Sequence, residues 1–341
     1  MDHTVHPSRW KAFWDKGGWW RAILLTVLYM AIYLGAGLVI GTIAGDQVVA
    51  EDIFRTPQSV FVGLTLSLII GSVALAAFVY SVGWFKPLFA PQPVKGNWWM
   101  WAAPFFLVAA IVLRFLGINY SSYQVSVVVI TLITGLLIGF AEEILTRGIV
   151  VKMLRDSGKS EWVVMVLSSL VFALLHSANA LSGMPIVTVL MTVVFTFGFG
   201  ICMYLTLRVT GNLIWPMILH ALYDPTLFLS TGGIDQAAAG PQSPLVMLAG
   251  PANTIYMLIA VVALIVVRGR AQHAPACRSG CTLEQTNRSV RRRVRTAVER
   301  FCLLLVLPAG WRRCVQECGH NVLHEVGPGE PKEVGSAWKD R

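Results

Sequence analysis

Two adjacent glutamates, Glu142 and Glu143, stand near the end of a long apolar run, with Arg147 four residues after the second. An ionisable side chain inside such a segment carries an insertion penalty of about 2.5–3.5 kcal/mol, so its presence calls for a functional or structural reason. Three more residues of chemical use fall in similar surroundings: His176 in "FALLH", and His220 and Asp224 in "HALYD". The other apolar stretches have almost no charge in their interiors. Arg114 is the exception, and its place near the end of its segment predicts that it snorkels to the interface.

Spacing gives the two glutamates different parts. Glu143 and Arg147 are i,i+4 with the glutamate first, the favoured order for an ion pair on one helix face. Glu142 is turned by about 100° and has no partner of this kind, which leaves it free as a general base or acid. His220 and Asp224 are also i,i+4, so the carboxylate is placed to fix the imidazole's tautomer. Phe172 lies one turn before His176 and is predicted to pack beside it. Pro216 lies one turn before His220 and predicts a kink. Serine or cysteine catalysis is not indicated: Ser177 is merely next to His176 in sequence, and Cys202 has no polar partner in its segment.

The elements that hold these groups follow from composition. The 341 residues are 55% hydrophobic and 13% charged, with a mean hydropathy of +0.64. A soluble domain is about 25% charged. Eight apolar segments stand out, at roughly 20–44, 58–82, 98–117, 122–150, 161–178, 184–207, 212–230 and 245–267. Each approaches the ~20 residues a helix needs to cross hydrocarbon. The fold class expected is therefore an all-α polytopic membrane protein of about eight transmembrane helices; the fourth, fifth and seventh carry the polar groups named above, and the family resemblance given below implies that the fourth to seventh form a four-helix catalytic core. The first run is too long for a signal-peptide core and reads as a retained helix. Basic and non-basic loops alternate along the chain, which predicts a multi-pass protein with both termini cytoplasmic. The domain boundaries expected are 1–121 for the N-terminal tail and first three helices, 122–230 for the core, 231–270 for the last helix and 271–341 for a tail.

Counting along the chain brings Glu142 and His176 to one depth; His220, about eight residues into its segment, reads as shallower unless the fourth and fifth helices project a turn or two into the cytoplasm. The connection after the fourth helix centres near Gly158, with Glu142 sixteen residues before it and His176 eighteen after. At ~1.5 Å per residue the two share a height on an antiparallel hairpin. Glycines at four-residue spacing, Gly37, Gly41 and Gly45 in the first segment and Gly135 and Gly139 in the fourth, would permit close helix contact.

From Arg268 onward the composition changes, with fourteen Lys/Arg against seven Asp/Glu. Three readings apply to this tail. It is a disordered basic extension, the preferred one; a basic helix on anionic lipid; or a zinc site from Cys277, Cys281, Cys314, Cys318, His320 and His324. No disulfides are expected on a cytoplasmic, reducing side.

"EEILTR", "FALLH" and "HALYD", in this order and each on a predicted membrane helix, resemble the E-E-x-x-x-R, F-x-x-x-H and H-x-x-x-N/D motifs of the CPBP family. These are CAAX-processing and bacteriocin-processing intramembrane proteases, also called the Abi family. The resemblance covers about residues 122–230. It implies an endopeptidase acting near the C terminus of a membrane-embedded or lipidated protein or peptide, in the bilayer and without nucleic acid. Carried over by motif position, Glu142 and His176 would activate water, and His220 and Asp224 would stabilise the oxyanion or complete the polar site. Glu143, Arg147 and Phe172 would support them. The family has been described with and without metal. Metal-free general-base chemistry is the favoured expectation, with Glu142, His176 and His220 as the ligands if zinc or another divalent ion is used. Two other classes compete: a non-proteolytic scaffold or immunity protein that binds a peptide or membrane partner, and a small transporter. The absence of obvious inverted repeats counts against the transporter.

Overall fold

The structure is a computed structural model that describes residues 8–234 and 241–271. The chain divides into two units, Met1–His273 and Ala274–Arg341, and the first holds all the helices discussed below. The tail readings, including the cysteine–histidine zinc set, the basic helix, the disorder and the absence of disulfides, lie outside the described residues.

Among the described residues, seven helices are long and apolar enough to cross a membrane. After the short α1 (Arg9–Asp15) they are α2 (Trp19–Gln47), α3 (Pro57–Ser81), α4 (Trp98–Gly117), α5 (Val125–Asp156), α6 (Glu161–Leu181), α7 (Ile186–Thr210) and α9 (Pro244–Val266). An eighth, α8 (Ile214–Thr231), has 18 residues. Pro216, His220, Asp224 and Pro225 dilute its apolar character, so the least hydrophobic long helix is the one that carries site residues.

Local sequence explains where the helices begin and end. Thr56 and Ser243 cap the starts of α3 and α9, each followed by proline at the first helical position, where no N–H is needed. Ser160 caps α6, its hydroxyl accepting from the N–H of Val163. Gly211, at φ 73°, stops α7 in the left-handed conformation that glycine adopts without strain.

α5 and α8 form the central contact. A Cβ built on Gly135 would lie 2.2 Å from Pro225 Cγ and 2.4 Å from the Ala221 carbonyl oxygen. One on Gly139 would lie 2.5 Å from the Met217 carbonyl. Any side chain at either position would push α8 away. Pro225, inside α8, removes the N–H that would otherwise bond to the Ala221 carbonyl, and that carbonyl is the one that faces Gly135. The predicted kink at Pro216 is corrected: Pro216 falls in the first turn of α8, where a proline displaces no helical hydrogen bond, and Pro225 is the interior proline. The first glycine row has no such contact. Gly41 and Gly45 have open space beside them, and Gly37 meets only the Ser67 hydroxyl at 3.5 Å.

Within α5 the backbone widens to a π-helix over Ile144–Val150, and all seven residues are buried. Such widened turns recur at functional sites, and this one starts immediately after Glu143.

Candidate active site

Glu143 is fully buried at the end of the regular part of α5. Its Oε1 accepts from Arg147 Nη1 at 3.0 Å and faces His220 Nδ1 at 2.9 Å. The contact at Nδ1 leaves Nε2 turned towards the remaining carboxylates. Arg147 is fixed on every side. Its Nη2 donates to the Gly200 carbonyl at 2.9 Å, Nη1 donates to the Thr146 hydroxyl at 2.7 Å, and the guanidinium lies 4.3 Å from the centre of the Phe172 ring. Gly200 makes room here: a Cβ would come within 3.1 Å of Arg147 Nη2 and of Ser169 Cβ, so these neighbours would have to give way by a few tenths of an ångström.

His220 is buried between aromatic edges, 5.6 Å from the ring of Phe172 and 5.2 Å from that of Phe199. Its Nε2 is 3.5 Å from Asp224 Oδ2 and 3.9 Å from Glu142 Oε2. The i,i+4 contact of His220 with Asp224 is present at Nε2, and Glu143, on the neighbouring helix, adds a shorter contact at Nδ1 that sequence did not show. Glu142 and Asp224 keep 19% and 18% of their side chains exposed, whereas His220 between them keeps 2%. Glu142 Oε2 is itself buried and has no hydrogen-bond partner. Glu143 Oε2 is likewise buried without a partner, so the two glutamates differ in their other contacts: Glu143 Oε1 is held by both Arg147 and His220, and Glu142 has no such short contact.

His176 begins the tight turn that ends α6, its Nδ1 3.2 Å from the Phe172 carbonyl oxygen and its ring edge-on to Phe172 at 5.1 Å. Phe172 therefore touches both histidines as well as Arg147. His176 also stands close enough to Glu142 for their charges to interact. Among the described residues no three His, Cys, Asp or Glu side chains are gathered so that they could hold a metal ion. In the ligand set expected from sequence, Glu142, His176 and His220, both histidines direct Nδ1 at an oxygen, of Glu143 and of the Phe172 backbone, so Nε2 is the nitrogen each would offer to a metal. No step below is routed through a metal.

Several site residues carry no signal in sequence. The Glu143–His220 bond spans 77 positions. Phe199 and Gly200 are ordinary members of an apolar run. Tyr29 and Tyr33 of α2, stacked at 6.2 Å, lie within reach of the Glu142 charge, and Gly71 of α3 gives the Tyr29 ring its seat. Arg114 does not snorkel: it is 6% exposed and lies 4.6 Å over the Tyr223 ring, because α4 turns it towards α8 rather than lipid.

Residues 124–226 match the family described as type II CAAX prenyl endopeptidase, Rce1-like. This segment contains Glu142, Glu143, Arg147, Phe172, His176, His220 and Asp224. Over this segment the chain is similar to the CAAX-protease family. The match is under a third of the chain, and α2, α3, α4 and α9 lie outside it. Comparison with curated proteins and with solved structures gives no match.

Proposed function

We propose that the chain is an intramembrane endopeptidase that cleaves near the C terminus of a membrane-anchored, prenylated protein of the CAAX type. The observation that carries this reading is the unequal treatment of the glutamates: Glu143 is fully buried with Oε1 locked between Arg147 and His220, while Glu142 is part-exposed and stands 3.9 Å from His220 Nε2 with no shorter contact. A gap of that size between polar groups is of the kind a single water bridges.

In the proposed reaction Glu142, assisted by His176, takes a proton from water as its oxygen bonds to the scissile carbonyl carbon. The oxyanion accepts a hydrogen bond from protonated Nε2 of His220, which Glu143 orients from Nδ1 and Asp224 supports from one turn along α8. When the C–N bond breaks, the proton held by Glu142 passes to the leaving amine. The family match supports the peptidase class, and the family's description as a prenyl endopeptidase supports a prenylated substrate.

The test uses the full chain in liposomes with two reporter peptides, one farnesylated and one not, each ending in a CAAX sequence, and detects the released C-terminal fragment by mass spectrometry. Release from the farnesylated peptide by wild type and not by Glu142→Gln is expected. Equal release by both proteins would remove Glu142 from the chemistry. No release from either peptide would remove the peptidase reading and favour a binding scaffold. Release only from the peptide without a lipid would keep the peptidase and remove the prenyl specificity.

A further inference from the structure

Arg114 of α4 is an arginine without an acid. It is 6% exposed, its guanidinium rests on Tyr223, and Nη1 has no hydrogen-bond partner. The other buried arginines among the described residues each hold a carboxylate, Arg147 that of Glu143 and both Arg155 and Arg208 that of Glu161. A lone buried cation in a membrane helix is unfavourable, and an uncharged side chain of similar length would avoid that cost. The fold therefore keeps Arg114 against its own stability, and what it touches indicates why. Tyr223 directly precedes Asp224 and follows His220 by three residues. The Tyr223 ring packs on Phe199 at 4.7 Å and faces Tyr256 at 6.0 Å, and Phe199 packs on His220 at 5.2 Å. A continuous stack leads from Arg114 through Tyr223 and Phe199 to the buried imidazole. Glu143 fixes one edge of that ring, and this stack closes its flank.

We infer that Arg114, outside the segment matched by the family, is a positioning residue that clamps Tyr223 and thereby sets the orientation of His220. The inference builds on the peptidase reading for its effect on rate, but the geometry it asserts can be read without any substrate. In the full chain labelled with nitrogen-15 histidine, His220 is identified by the signal lost in His220→Gln. Arg114→Met should shift or broaden the His220 ring signals and leave those of His176 in place, while the melting temperature stays equal or rises. Arg114→Lys, which keeps the charge but not the flat stacking surface, should give a smaller change. With the farnesylated peptide, kcat should fall about tenfold in Arg114→Met at unchanged KM, in keeping with the ~10–100-fold typical of residues that orient a ligand or catalyst from behind. Unchanged His220 signals would overturn the inference. So would a fall in melting temperature that accompanies them, which is what a purely structural residue gives. If wild type cleaves nothing, the peptidase reading fails and the His220 signals still decide the role of Arg114.

Discussion

α5 carries two groups of buried charge, one around Glu143 and one around Arg155, twelve residues further along. In the second, Glu161 accepts from Arg155 Nε and Nη2, both at 2.8 Å, from Arg208 Nη1 at 3.2 Å and from the Tyr204 hydroxyl. Arg208 also donates to the carbonyls of Val94 and Lys95, and Arg155 to Gln92. None of these side chains has a buried polar atom left over, whereas Glu142 Oε2, Glu143 Oε2 and Arg147 Nε all do. Buried polar groups are normally satisfied, and those that are not mark strain or chemistry. The Glu161 cluster ties the start of α6 to the ends of α5 and α7 and to the 92–96 loop. The Glu143 cluster spends its partners on orienting His220 and leaves Glu142 open to a reactant.

The contrast makes separable predictions. The largest effect should come from Glu142→Gln, with cleavage of the farnesylated reporter down by about 10²–10⁴-fold, the usual contribution of a general base. Its melting temperature should not fall, since a lone buried carboxylate is removed; a parallel loss of both would place Glu142 in the structural class. Next, Glu161→Gln leaves Arg155 and Arg208 without a counter-charge, at a cost of about 3–5 kcal/mol. Denaturation should show that loss, with activity falling only as far as the folded fraction does. Glu143→Gln should lose stability on the same scale and activity beyond it, because His220 loses its orienting carboxylate. Adding Arg147→Gln should restore part of the stability but not the rate. Recovery of both would erase the distinction between the clusters. A smaller effect is expected at the glycines. Gly139→Ala should cost about 1–3 kcal/mol by overpacking the α5–α8 contact, and Gly41→Ala should stay within about 0.5 kcal/mol. The smallest expected effect is that of chelation: incubation with a strong divalent chelator should leave cleavage unchanged, and a loss restored by zinc would show that the ligands gather on substrate binding.

The helices were legible because ~20 apolar residues in a row have few alternatives, and each segment read from sequence lies within a few residues of its helix apart from the longer reach of α5. The Glu143–Arg147 pair was legible because its spacing is that of one helix face. What spacing cannot show is which helices meet. Arg155 and Arg208 count as loop charges in sequence, yet Glu161, six residues from one and 47 from the other, draws both inside. The same holds for Glu143 with His220 and for Arg114 with Tyr223. Of the two glycine rows, which look alike as text, only the one opposite Ala221 and Pro225 found a neighbour.

That row also limits how a substrate can arrive. Along Gly135 and Gly139, α5 offers no side chain of its own and meets the backbone of α8 together with the side chains of Ala221 and Pro225. A seam of that kind does not part to admit a bulky lipid tail without separating His220 from Glu143. On the proposed peptidase reading, a membrane-borne substrate would reach Glu142 through another seam of the bundle, with the α5–α8 contact as a fixed wall.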